Sequence, residues 1–287
     1  MTKLRRSLRS LARTGLSFFL VILITGCSSS TKPTYLRANI ERDIQDICKK
    51  EYKLDITAKL VGQTLWIYLP IEGILENTSA NKPQKYWERF EIKDNKSDFK
   101  NGLFQVTYNV KRVPEKERVQ ETGYNKEALE KINDVWKVLR RIVFSMKETE
   151  APKFFFLVTS DIQYGFTIAE IFYFQDIKKV SYSLISMTEY QHRSINQMEI
   201  SPQVIGDKEG KFLNYRDIPM EEFIAMQIEN RIRLKFQKPE VDKNANIDKE
   251  VLKAVNDTLE IYDAKKYKVF LNNTNSPANK LKSSLNK

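Results

Sequence analysis

Apolar side chains at Leu36, Ile40, Ile44, Ile47 and Cys48 recur at the i, i+4, i+7 spacing that turns one helical face inward, so a helix is predicted over 36–52. The period then changes. Ile56 to Val61 and Thr64 to Leu69 flank Gly62-Gln63, and glycine at the first of two central positions suits a type II′ turn, which predicts a β-hairpin. Residues 73–100 are polar and poorly periodic, with Trp87 and Phe90 as isolated anchors. Alternation returns from Leu103 to Arg112, where Phe104, Val106, Tyr108 and Val110 share one face and Gln105, Thr107 and Asn109 the other. That pattern is a half-buried antiparallel strand. The charged run PEKERVQETG, 114–123, reads as a boundary between lobes.

The strongest stripe follows, over 125–147, with Leu129, Ile132, Val135, Trp136, Leu139, Ile142, Val143 and Met146 on one side and Lys, Arg and Glu on the other. Strands at Phe154 to Val158 and Phe166 to Phe174 come next, so helix, strand, strand recurs and echoes 36–69 without residue-level identity. Asp176 is expected to cap a helix through about 186, and Thr188-Glu189 to start a short turn of helix. Beyond an extended stretch at 195–205 and a turn at 206–210, Asp217-Ile218-Pro219 opens a helix with Met220, Ile224, Ile228 and Ile232 at i+4 steps. A last helix over 247–262, an edge strand at Tyr267 to Leu271 and a disordered tail at 272–287 complete the pattern. The fold class is α+β, with antiparallel strands and hairpins packed against amphipathic helices. Two lobes, 36–113 and 124–271, are expected, and they suggest two helix-strand-strand halves.

Before all of these lies a different pattern. Lys3, Arg5, Arg6, Arg9 and Arg13 precede an apolar run from Leu16 to Ile24, followed by Thr25, Gly26 and Cys27. This is the layout of a secretory signal, expected to cover 1–26. A spanning helix needs about 20 apolar residues, and this run is about half of that. Its ending, Leu23-Ile24-Thr25-Gly26-Cys27, resembles the lipobox of bacterial lipoproteins. The resemblance implies cleavage before Cys27, a diacylglyceryl group on its thiol and an acylated amine, palmitate among the usual chains. Two or three chains make such attachment effectively permanent. Residues 27–35 then form the lipidated cysteine and its tether, and the membrane becomes a partner through Cys27. The cell envelope is the expected location, and in a bacterium with two membranes Ser28, standing where an inner-membrane retention signal would have Asp, points to the outer membrane, facing the periplasm or the cell surface.

Charge follows from this reading. Five of the 48 basic residues and no acid lie before Cys27, so the net charge falls from +11 for the chain to +6 for residues 27–287. A basic domain at a membrane is drawn to anionic lipid or to an acidic envelope polymer, and an envelope protein is a further expected partner. Nucleic acid is not expected there. Once Cys27 is acylated, Cys48 has no disulfide partner within the chain, and its helical spacing places it in the core.

Candidate chemistry narrows mainly by exclusion. His192 is the only histidine, which removes HExxH and other multi-histidine zinc sites, and the nine glycines form neither GxGxxG nor GxSxG. Residues 206–212, GDKEGKF, are one residue short of a phosphate loop. No metal or cofactor is expected. Carboxylate chemistry leaves no motif, and its most conspicuous candidate is Glu170, on a strand face with Phe166, Ile168, Phe172 and Phe174. Such an acid is a functional group in a pocket, an inward charge guarding a sheet edge, or a buried partner of a cation. The function classes left open are a non-catalytic binding or scaffolding lipoprotein, a carrier of an apolar ligand and a carboxylate-dependent hydrolase, in that order.

Overall fold

The hairpin around Gly62 starts a five-stranded sheet in the computed structural model, which describes residues 34–77, 84–86, 90–113, 116–118, 122–237, 241–242, 244–274 and 282–283. In chain order the first elements are α1 (Ile40–Tyr52), β1 (Thr57–Val61), β2 (Thr64–Ile71), β3 (Leu75–Asn77), β4 (Gln84–Tyr86), β5 (Phe90–Lys100), β6 (Leu103–Arg112), β7 (Lys116–Arg118) and β8 (Thr122–Tyr124). The rest are α2 (Lys126–Ser145), β9 (Phe154–Asp161), β10 (Phe166–Tyr173), α3 (Phe174–Ser181), α4 (Met187–Arg193), β11 (Ile195–Ile200), α5 (Met220–Gln237), α6 (Ile247–Ile261), β12 (Lys268–Asn273) and β13 (Lys282–Ser283). The fold is α+β.

Gly62 has φ +56°, and any side chain there would collide with Asp217, whose carboxylate accepts from the Gln63 amide at 2.8 Å and from Thr64 Oγ1 at 3.0 Å. That close approach fixes the turn, and Val61 pairs with Thr64 across it. The first sheet has the order β1-β2-β9-β10-β11, antiparallel throughout except that β2 and β9 run parallel. The two helix-strand-strand units therefore lie side by side. One face is covered by α1 and α2, which bury Ile40, Ile44, Ile47 and Cys48, and Val135, Val138, Leu139, Ile142 and Val143, against Leu65, Ile67, Leu69, Phe155 and Leu157. Helix α2 begins where Asn125 caps it, its side chain accepting from the Glu127 amide at 2.8 Å.

The opposite face carries Trp66, Tyr68, Phe154, Phe156 and Val158. It is covered by the start of α5 through Phe223 and by residues 207–218, where Trp66 Nε1 donates to the Arg216 carbonyl at 2.7 Å and Tyr68 Oη to that of Asp207 at 2.6 Å. The second sheet, β13-β12-β6-β5, packs Phe90, Phe104, Val106, Tyr108 and Val110 against α5 and α6. Helix α5 thus serves both cores, with Phe223 in one and Ile224, Ile228, Ile232 and Phe236 in the other.

Several expectations are corrected. The run 114–123 does not divide two lobes, because β2 pairs with β9 and β6 with β12 across it, and residues 35–287 form one compact unit. Residues 73–100 are not irregular but contain β3, β4 and the long β5. Strand β6 is antiparallel to β5 but parallel to β12. The strand expected at 267–271 is not an edge, since β13 pairs on its other side, and it extends to Asn273 in place of a tail beginning at 272. Asp176 does not cap its helix, which starts two residues earlier at Phe174. The proposed signal at 1–26, Cys27, the tether up to residue 33, Trp87 and residues 275–281 and 284–287 lie outside the described residues.

Candidate functional site

Strand alternation places Ile168, Glu170 and Phe172 on the face of β10 that looks toward the α1/α2 layer, and Ile168 and Phe172 are core residues there. Glu170 pairs with Leu157 of β9 and Asn196 of β11, so β10 is an inner strand and the acid guards no edge. Glu170 opens into a pocket of about 680 Å³. Asn133, Trp136 and Arg140 of α2 form one wall, and Ile177, Val180 and Ser181 of α3 another. Helix α4 contributes Met187, Tyr190 and Gln191, with Ser194 and Asn196 beyond it and Phe172 beside Glu170. The volume lies in the range of small-molecule sites.

Among the described residues Glu170 makes no hydrogen bond and no ion pair. Burial pushes its carboxyl from 4.5 up to about 7, because removing water penalises the charged form and no cation offsets it. It is the one acid in the pocket wall. The neighbouring acids are engaged elsewhere: Asp176 with Arg193 at 3.0 Å, and Glu189 with Arg193 at 2.8 Å and Arg231 at 2.7 Å. These bonds fix α4 to α3 and α5. Tyr262, the residue after α6, completes the cluster by donating to Asp176 at 3.2 Å. The Glu189 carboxyl is raised by burial, but Arg193 and Arg231 bring it below its usual range overall.

Three aromatic rings line the pocket in mutual contact. Trp136 meets Phe172 edge-on at 4.1 Å and Tyr190 at 6.1 Å, and Phe172 and Tyr190 lie nearly parallel at 6.4 Å. The Tyr190 hydroxyl is raised well above its ordinary range by burial, with Glu170 adding to it. Ser194 turns its own hydroxyl to the Tyr190 carbonyl at 3.0 Å, and Tyr190 Oη has no hydrogen-bond partner. Ser181 Oγ and Asn196 Oδ1, on two further lining residues, are likewise buried without a partner. Arg140 is exposed and makes no ion pair among the described residues.

Of the sequence candidates, Glu170 therefore sits in the pocket and Cys48 does not. Cys48 lies in the core under α2, its thiol pushed up to about 12 by burial, with the charges of Asp134 and Glu51 adding to the effect. His192 is on α4 but does not line the pocket. Residues 206–210 form a turn in which Asp207 accepts from the Glu209 and Gly210 amides at 3.0 and 2.9 Å. Among the described residues no group of three His, Cys, Asp or Glu side chains is placed to hold a metal ion. Sequence reasoning missed Tyr190, Ser181, Asn196 and Arg140; besides Glu170 it singled out Phe172, on the same strand face, and Trp136, as part of a helical stripe. No protein-family model matches the chain, and neither the curated proteins nor the solved structures contain a significant match.

Proposed function

We propose that the protein is a membrane-anchored envelope lipoprotein, held by lipid on Cys27, whose folded part binds a small ligand in the Glu170 pocket without catalysing a reaction. The observation that carries the ligand site is Glu170 itself. A carboxylate whose pKa is raised by burial, with no cation paired to it among the described residues, is costly in a merely structural role, and a ligand that completes its interactions removes the cost. The orphaned oxygens of Tyr190, Ser181 and Asn196 support the same reading, since buried polar atoms normally have partners. Binding is preferred over hydrolysis because a glycoside-type mechanism asks for two carboxyl groups within about 5 to 9 Å, and the wall offers one. A purely apolar cargo would leave the same four polar groups unsatisfied. The anchor rests on the lipobox resemblance and the short segment that follows it.

Native mass spectrometry of the protein gently extracted from membranes tests both halves of the proposal. A lipidated amino terminus at Cys27 and a bound small molecule that is lost in Glu170→Gln are expected. An unmodified amino terminus would sink the anchor. A bound species retained unchanged in Glu170→Gln, or none at all, would sink the site.

A further inference from the structure

We infer that the pocket takes a ligand bearing a protonated primary amine, with the ammonium group held against the Glu170 carboxylate. This rests on the ligand-site reading and specifies its chemistry. Charge comes first. Glu170 is the single acid among the lining residues, and among the described residues no cation pairs with it, Arg140 of the same wall included. An anionic ligand would meet repulsion at that point. A neutral one would leave the carboxylate to be ionised without a counter-charge.

Hydrogen-bond chemistry narrows the cation. An ammonium has three N–H donors and accepts nothing. The wall residues carry a carboxylate, an amide oxygen of Asn196 that can only accept, and the hydroxyl oxygens of Ser181 and Tyr190, all without partners. A quaternary ammonium would satisfy none of those acceptors by hydrogen bonding. The aromatic rings of Trp136, Phe172 and Tyr190 favour a cation through their negative faces, while Met187 and the ring edges accept an alkyl chain.

The groups around Glu170 do not compete for this role. Arg140 approaches from α2 and Tyr190 from α4, and Tyr124 of β8 lies near enough for Glu170 to raise its hydroxyl further. Strands β9 and β11 present the uncharged Leu157 and Asn196 beside it. Arg140 is exposed and lines the same pocket, where it suits an anionic group carried next to the amine. An aminoalkyl phosphate, as part of a lipid headgroup, and a free alkylamine share the ammonium.

The test uses the full chain in detergent with methyl-labelled methionine, and reads the Met187 methyl resonance against n-butylammonium, 1-butanol and butyrate. Butylammonium should give a saturable shift that is at least tenfold weaker in Glu170→Gln, weaker in Tyr190→Phe, and stronger at pH 8.5 than at pH 5.5, as the carboxyl ionises through about 7. The amine stays protonated over that range, because an alkylammonium titrates at about 10. Methionine resonances outside the pocket report whether each variant keeps the fold. Glycerophosphoethanolamine binding more tightly than butylammonium, with the advantage lost in Arg140→Ala, assigns a lipid headgroup; equal affinity assigns a free amine. If butanol or butyrate saturates the Met187 shift as well as butylammonium does, the amine inference is overturned while the ligand site stands. If none of the probes moves Met187, the inference falls and the ligand site loses its support.

Discussion

Glu170 and Cys48 show how one physical effect, burial, gives opposite meanings to two ionisable side chains. Burial raises both, but the thiol is neutral at any working pH and is indifferent to it, whereas the carboxyl is forced to choose near neutrality. The folded Glu170 carboxyl titrates at about 7 instead of 4.5, so its protonated form favours the native state, and that advantage is lost as pH rises through about 7. Glu170→Gln should match the wild type at pH 4 and exceed it at pH 8 by about 1 to 2 kcal/mol, discounting for partial exposure. Urea unfolding at the two pH values measures this, and a variant less stable at pH 8 would reveal a cation partner. Cys48→Ser should cost about 1 to 3 kcal/mol, since it places a hydroxyl in an apolar site. Thiol labelling of Cys48 should be slow in the native protein and fast in denaturant.

At the scale of elements, the ion cluster at the base of α4 decides whether the pocket has a wall. Arg193 bonds Asp176 and Glu189 at once, and Asp176 is almost fully buried. Arg193→Met should therefore destabilise the protein by about 3 to 5 kcal/mol by leaving buried carboxylates unpaired, with calorimetry as the measure. A change below about 1 kcal/mol would mean that water replaces the guanidinium. The sequence announced α1, α2 and α6 because their apolar residues recur at the helical period and one face is buried. Strand β5 stayed hidden because a bulge between Ile92 and Asp94 breaks its alternation, and only Phe90 and Ser97 along it are buried. The cluster was invisible for another reason: Asp176 looks like a cap when Arg193, its partner, lies on a different helix. Glu170 could be picked out because an acid among apolar alternating residues is a local contradiction. Tyr190, Ser181 and Asn196 carry no such mark, as single polar residues in short helices and strands are ordinary, and only packing removes their partners.

For the whole molecule, charge and attachment belong together. Residues 27–287 carry +6, which should draw the folded part to an anionic surface. A chain lacking residues 1–27 is expected to sediment with vesicles containing anionic lipid at low salt and to be released near physiological salt, where screening acts over about 8 Å. Failure to bind at low salt would remove surface charge from the account and leave the proposed lipid on Cys27 to carry attachment alone. Strand β12 adds a constraint of a different kind. It extends the second sheet by pairing with β6, which precedes it by most of the chain, Lys268 opposite Leu103. A polypeptide emerges amino end first from a ribosome or a translocase, so the β6 edge stays unsatisfied, with the apolar face of Phe104, Val106 and Val110 behind it, until residues 268–273 arrive. During that interval the edge is a template for pairing with any neighbouring copy. A premature stop shortly before residue 268 should therefore yield aggregates, which sedimentation of the truncated chain measures.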